Sequence, residues 1–280
     1  MVLDTDTYNE VDDQFALAYA LRSPEKLDVE AVYAAPFHNH RSSSPQDGME
    51  KSYDEIVNIL SKLDISPDRF SFRGSKMYLP SLSSPVESEA VDDLIQRALA
   101  KPDEPLYVVA IGAITNIASA LLLKPEIIKN IVVVWLGGHA LHWPHNKEFN
   151  LYQDVLSARV VFDCGVPLVH IPCQGVTSHL HTTIPELEYY LKGKSEIADY
   201  LVDIVREYTN EPYAWSKVIW DVAAIAWLID PDSVWTHLIS SPVPTDQLTW
   251  SVDNRRHQIR YAFYINRNRI YRDLFEKLSK

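Results

Sequence analysis

Five acids fall within ten residues near the start of the chain: Asp4, Asp6, Glu10, Asp12 and Asp13, in DTDTYNEVDD. Carboxylates packed this closely repel one another by about 4 kcal/mol per pair at 4 Å and an effective dielectric near 20. Gathering them is favourable if a cation compensates them or if all splay into water. Oxygen donors without His or Cys suit Ca²⁺ or Mg²⁺ better than zinc. The plainer reading is capping, since Asp12 and Asp13 fall in the first turn of a helix, where the macrodipole favours negative charge. Capping leaves Asp4 and Asp6 unexplained, because they lie on the strand side of the turn. A divalent-cation site is the better account.

Other segments offer partners. GAITN (residues 112–116) opens a helix with Thr115 and Asn116 near its start, for which an ordinary N-cap is the plain reading. GGHALHWPHNKEFN (137–150) is a long loop ending in Glu148, Phe149 and Asn150. Loops beyond about 12 residues in a compact domain are usually functional or mobile. Trp220 and Asp221 open an apolar helix, where an acid can be a cap or a ligand and an indole can be core or a stacking surface. His38, His40, His139, His142 and His145 sit in two long loops; His38 and His139 are the first candidates for an acid that titrates near neutrality. Tyr78 and Trp143 are loop aromatics that either stack on a ligand or cover the core.

The elements that must position these residues alternate. Strand patterns occupy residues 1–4, 28–35, 70–73, 106–111, 131–136 and 167–171, with helical patterns at 11–22, 53–63, 87–100, 115–123 and 154–164. A polar loop separates the second strand from its helix at 36–48. IVVVW, from Ile131, is a β-branched run of the kind buried on both faces of a sheet. Helices follow at 185–192, 196–208 and 218–228, then three strands at 234–238, 247–253 and 257–265, and a last helix from about 267. The expectation is an α/β fold: a mostly parallel open sheet flanked by helices, one domain over residues 1–280, with a small C-terminal antiparallel meander. In such sheets ligands bind beyond the carboxyl ends of the strands, which selects residues 4–13, 36–48, 112–116, 137–150 and the loop after Ile171.

Composition narrows the partners. The chain has 280 residues, 46% apolar and 23% charged, as in an ordinary globular protein. Lys and Arg number 26 against 38 Asp and Glu, a formal charge of −12, which argues against nucleic acid or an anionic membrane as partner. Cys164 and Cys173 match no disulfide framework or zinc spacing and read as free thiols of a reducing compartment. No apolar run spans a membrane and no secretory pattern opens the chain, so the expected location is cytoplasmic.

In this order and at these distances, DTDTYNEVDDQFALAYAL, GAITNIASAL, GGHALHWPHNKEFN and WDVAAIAWL resemble the nucleoside hydrolase family, from residue 3 to about residue 230. The resemblance implies Ca²⁺-dependent hydrolysis of the N-glycosidic bond of ribonucleosides to free base and ribose. It implies that Asp6 both binds the metal and takes the proton of the attacking water, with Asp13, the Thr115 carbonyl and Asp221 as further ligands. Asp12 and Asn39 would hold ribose hydroxyls, Glu148 and Asn150 would grip the sugar with Phe149 beside them, and Asp4 would support the cluster. Family members are commonly dimers or tetramers, so a homo-oligomer is implied as well.

Two departures matter. The family pattern is DxDxGxDD, whereas here two extra residues separate Asp6 from Asp12 and the glycine is absent; the wider turn can bring Asn9 or Glu10 to the site. Trp220 stands where many members carry a His that protonates the leaving base, and indole is no acid at neutral pH. A tryptophan resembles the purine-preferring branch, in which stacking on the base assists its departure. Two rival readings remain. LDTDT fits a haloacid-dehalogenase-type phosphohydrolase with Asp4 as nucleophile, but the segment after residue 136 supplies no acid before Glu148. A nucleoside- or sugar-binding relative with little turnover is the other.

Overall fold

Short apolar runs rich in β-branched residues build the sheet of the computed structural model, which describes residues 1–100 and 104–280. Six strands run β1 (Val2–Thr5), β2 (Ala31–Ala34), β3 (Ser71–Arg73), β4 (Leu106–Ala110), β5 (Ile131–Leu136) and β6 (Leu168–Ile171). They lie side by side in the order β3-β2-β1-β4-β5-β6, every neighbouring pair parallel. Alternate side chains leave opposite faces: Val133 and Trp135 enter one core, Val134 and Leu136 the other. Helices α1 (Asp13–Leu21) and α2 (Pro45–Lys62) cover one face, and α3 (Glu89–Ala100) and α4 (Thr115–Leu123) the other.

The chain leaves β1 toward β2 and β3, then returns to place β4 on the opposite flank of β1. Loops after β1 and β4 therefore diverge around one crevice at the carboxyl edge, the usual ligand position in open α/β sheets. Close approach there needs a glycine. A Cβ on Gly112, just beyond β4, would stand 3.1 Å from Asp6 Cγ and 3.2 Å from the Asp6 nitrogen.

Several boundaries differ from the sequence expectation. The helix after the second strand begins at Pro45, because Ser44 accepts the Asp47 N–H and proline suits the first helical position. The expected helix at 154–164 is α6 (Val155–Asp163), capped by Asp154 through Ser157 N, and a short helix not expected there, α5 (Phe149–Gln153), precedes it. After α6 and β6 come a two-residue ribbon, β7 (His181–Thr182) with β8 (Lys217–Val218), and the helices α7 (Ile184–Leu191), α8 (Glu196–Glu207) and α9 (Val222–Ile229). Val218, the expected start of a helix, is thus strand, and the helix begins at Val222. The C-terminal meander is also altered. Strands β9 (Val234–Ser240) and β12 (Gln258–Ile265) pair antiparallel, and β12 joins β6 to extend the main sheet to eight strands. The middle strand expected at 247–253 shrinks to β11 (Trp250–Ser251), which pairs apart from the sheet with β10 (Val243–Pro244). Helix α10 (Arg267–Leu278) follows.

Candidate active site

A cavity of about 310 Å³ opens at the carboxyl ends of the central strands. Its wall takes Asn9, Glu10, Asp12 and Asp13 from the first loop, Ile111 after β4, Leu136, His139 and residues 147–150 after β5, Cys173 and Gln174 after β6, and Trp220 and Asp221 before α9. All five strand-end segments except 36–48 and 112–116 contribute side chains to it.

The acids meet. Oxygens of Asp12, Asp13 and Asp221 lie within 4.8 Å of one another, although Asp221 is some two hundred residues away in the chain. Asp12 and Asp221 stand at the N-caps of α1 and α9, yet neither makes a side-chain cap bond, and Asp13 instead accepts the Thr5 hydroxyl at 2.5 Å. Capping therefore does not account for the cluster. Asp6 is fully buried beside it and is not part of the cavity wall; both its oxygens lack any hydrogen-bond partner. Asp4 is buried too, with one oxygen accepting Asn116 Nδ2 at 2.7 Å and the other unpartnered. Like Asp6, it stands off the cavity wall.

Burial dominates the titration of these groups. It lifts Asp6 well above the ordinary carboxylate range, and the charges of Asp13, Asp12, Glu148 and Asp4 push the same way. Burial, followed by the Asp12 charge, raises Asp13 to about 7 despite the Thr5 hydrogen bond. Asp4 also rises to about 7 through burial, eased by Asn116. Asp221 is raised well above its usual value by burial and then by Asp12, Asp13 and Asp6. Such a cluster either holds protons or waits for a cation, and its all-oxygen donors suit a hard one.

The sugar-side residues are held firmly. Glu148 accepts N–H groups from Gly138 (2.6 Å), Asn150 (2.9 Å) and Leu151 (2.9 Å), so its carboxylate shapes the loop it ends. Asn150 directs both amide hydrogens to backbone carbonyls, Ile111 at 2.9 Å and Leu136 at 3.0 Å. Its Oδ1 is left for a ligand. Phe149 sits on the wall with its ring edge-on to Tyr152. Trp220 also lines the cavity and donates its backbone N–H to Asp12 Oδ2 at 3.1 Å.

Besides Asp6, two of the expected site residues are not on the cavity wall. Thr115 is buried at the start of α4, where its hydroxyl donates to Asp154 Oδ2 at 2.7 Å. The strand-end residue that does reach the wall is Ile111, four positions earlier. Asn39 acts through a neighbour: its Nδ2 donates to Asn9 Oδ1 at 2.7 Å, and Asn9 is the residue on the wall. Among the histidines, only His139 lines the cavity. Burial and the nearby His145 lower it to about 4, and its Nδ1 accepts the Gln174 N–H at 3.3 Å. It is neutral near pH 7, able to donate a hydrogen bond but not to serve as an imidazolium acid. Trp143 packs on His139, and Tyr78 donates to Gln153.

The residue least visible beforehand is Lys217. Its side chain is 7% exposed, with the ammonium 2.5 Å from Glu10 Oε2 and 3.5 Å from Asp12 Oδ1. Burial works against its charge, but Asp12 and Glu10 outweigh burial and raise it. A lysine in the apolar run KVIW, four residues before Asp221, was the one available signal.

An open parallel sheet with a carboxylate cluster, an aromatic wall and polar groups at its switch point has the layout of a small-molecule site. Comparison with known proteins is more specific. The profile of the inosine-uridine preferring nucleoside hydrolases matches residues 34–272, and the chain belongs to this family of ribonucleoside N-glycosidases. It is 26% identical over 250 residues to the pyrimidine-specific ribonucleoside hydrolase RihA of Escherichia coli O81 (strain ED1a), covering 79% of this chain and 77% of that protein. In fold it is similar to the purine-preferring ribonucleoside hydrolase from Gardnerella vaginalis, with a TM-score of 0.82, 22% identity and coverage of 99% and 97%. A plant nucleoside hydrolase, PpNRh1, superposes with a TM-score of 0.79 at 21% identity, covering 99% of this chain and 98% of its own. The profile match begins after the acidic turn, the segment where this chain departs from the family pattern.

Proposed function

We propose that this enzyme is a Ca²⁺-dependent hydrolase of purine ribonucleosides that releases free base and ribose. The observation that carries the reading is the meeting of Asp12, Asp13 and Asp221 within 4.8 Å, beside an Asp6 whose two buried oxygens have no partner. Asp6, Asp13 and Asp221 would hold the ion, with the Ile111 carbonyl better placed than Thr115 to complete the shell. A dication there supplies acidity to a water molecule and balances the acids.

Asp6 is the general base. It has no competing hydrogen bond, and a neighbouring cation would reverse the burial effect and keep it ionised. Asp12 and the free Oδ1 of Asn150 accept ribose hydroxyls, while Glu148 fixes the loop that carries Asn150. As positive charge develops on the sugar, the surrounding carboxylates stabilise it. Trp220 and Phe149 stack on the base, an interaction worth about 1–3 kcal/mol per base. The area of an aromatic face favours the larger purine. Free Cys164 and Cys173 fit a cytoplasmic setting, and self-association into a homo-oligomer is open to sedimentation.

A panel of inosine, guanosine, adenosine, uridine and cytidine, assayed for reducing sugar with and without a calcium chelator, tests the reading. Purine nucleosides should be cleaved fastest, with activity lost to chelator and restored by Ca²⁺. Binding without cleavage would favour the non-catalytic relative. Hydrolysis that survives both chelation and Asp6→Asn would refute the metal and the Asp6 base alike.

A further inference from the structure

We propose that Lys217 is a positioning residue for Asp12, held in place by Glu10 from the widened first loop, and that it sets how strongly the enzyme depends on a ribose hydroxyl. This rests on the reading of Asp12 as the acceptor of that hydroxyl.

The two extra residues of the first loop need a structural reason, and the geometry offers one. Glu10 lies in the stretch that lengthens the loop, and its Oε2 receives the Lys217 ammonium at 2.5 Å. Lys217 Nζ also donates to the Val218 carbonyl at 3.0 Å, and the Tyr208 ring lies 5.4 Å away. A buried ammonium is costly unless its donors are met. Here they are, from three directions, so the group is fixed rather than mobile. Its remaining neighbour is Asp12 Oδ1 at 3.5 Å.

Asp12 is thereby gripped at both ends. Trp220 N–H takes Oδ2, and the ammonium faces Oδ1. Both holding groups come from one short stretch, residues 217–220, which the β7–β8 ribbon ties to residues 181–182. Without Lys217, only the Trp220 N–H would hold Asp12 beside the like charges of Asp13 and Asp221, and repulsion would favour turning its Oδ1 away from them. The lysine and the longer loop thus form a matched pair: the loop brings Glu10, Glu10 holds Lys217, and Lys217 holds the acid that meets the sugar. Hydrogen bonds from a fixed carboxylate to a substrate hydroxyl discriminate strongly against analogues that lack it.

The test uses the full-length enzyme with saturating Ca²⁺ and three substrates: a ribonucleoside and its 2′-deoxy and 3′-deoxy forms. Asp12→Ala identifies the hydroxyl, because its loss in kcat/KM should shrink on the one analogue lacking the group Asp12 binds. Lys217→Met should lose about 30–100-fold on the ribonucleoside and less than threefold on that same analogue. Lys217→Arg should recover to within fivefold, and Glu10→Gln, which leaves the lysine in place, should lose an intermediate amount with the same substrate pattern. Calorimetric titration should show Ca²⁺ bound no more weakly by Lys217→Met, since a repelling charge has gone. Equal losses on all three substrates for Lys217→Met and Glu10→Gln, or weakened Ca²⁺ binding, would overturn the proposal while Asp12→Ala still discriminated. If Asp12→Ala failed to discriminate, the hydroxyl reading itself would fall and take the proposal with it. Should Lys217→Met not fold, the substrate pattern of Glu10→Gln decides.

Discussion

Replacing Asp13 by asparagine should stabilise the metal-free protein at pH 8 and destabilise the calcium-loaded one. In the fold Asp13 titrates at about 7, against 3.8 ordinarily, because it is buried beside Asp12. Moving a carboxyl that far corresponds to about 4 kcal/mol at 1.36 kcal/mol per pH unit. That is the cost of ionising Asp13 in the folded rather than the unfolded chain. Asparagine removes the charge but keeps an acceptor for the Thr5 hydroxyl; weakening that bond costs about 1–2 kcal/mol. The net gain is about 2 kcal/mol, or roughly 4 °C in Tm for a chain of this size. The sign follows from linkage. A group whose folded pKa is raised stabilises the fold below its unfolded pKa, and that contribution is lost as pH rises through the folded value. The variant should therefore trail the parent by about 1–2 kcal/mol near pH 4, overtake it between pH 4 and 7, and hold its full advantage at pH 8. Thermal scans in chelator across pH 4–8, repeated with excess Ca²⁺, read both effects. A Tm lowered in chelator at pH 8 as much as at pH 4 would mean that Asp13 is a structural hydrogen-bonding group and not part of a charge trap.

Three further substitutions address the chemistry. Asp6→Asn should reduce kcat by about 10²–10⁴-fold, the usual worth of a general base, with KM changed only a few-fold; steady-state kinetics on inosine checks it. Trp220→Ala should lower kcat/KM on purine nucleosides by about 10–100-fold, the equivalent of one lost stack, and on uridine by less; equal losses would remove Trp220 as a base platform. Gly112→Ala places a methyl 3.1 Å from Asp6 Cγ, so turnover should fall several-fold with the fold intact by circular dichroism.

What was legible in the chain was what local pattern controls. The β-branched run of β5 and the strand–helix alternation predict the parallel core, and the crowding of Asp4 through Asp13 marks the first loop. Elements whose partners are distant were harder. The stretch around Trp250 has strand-like residues, but β12 takes the place beside β9 and leaves only Trp250–Ser251 to pair locally with Val243–Pro244. Thr115 has a ligand's chemistry at a plausible spacing. Its expected contribution is a backbone carbonyl, and the residue lies off the cavity wall that the apolar Ile111 reaches. Spacing alone cannot rank the two, because a backbone carbonyl leaves no mark in side-chain type. Lys217 is separated from Glu10 by 207 residues, and nothing local links an extra acid in one loop to a lysine before a distant helix.

On the proposed reading, catalysis depends on one dication gathered by acids that lie some two hundred residues apart in the chain. A crystal structure of the protein with Ca²⁺ tests that dependence most directly. A single ion within about 2.3–2.6 Å of oxygens from Asp6, Asp13 and Asp221 is the predicted result. Those three carboxylates turned to separate partners, with no ion between them at saturating Ca²⁺, would contradict it.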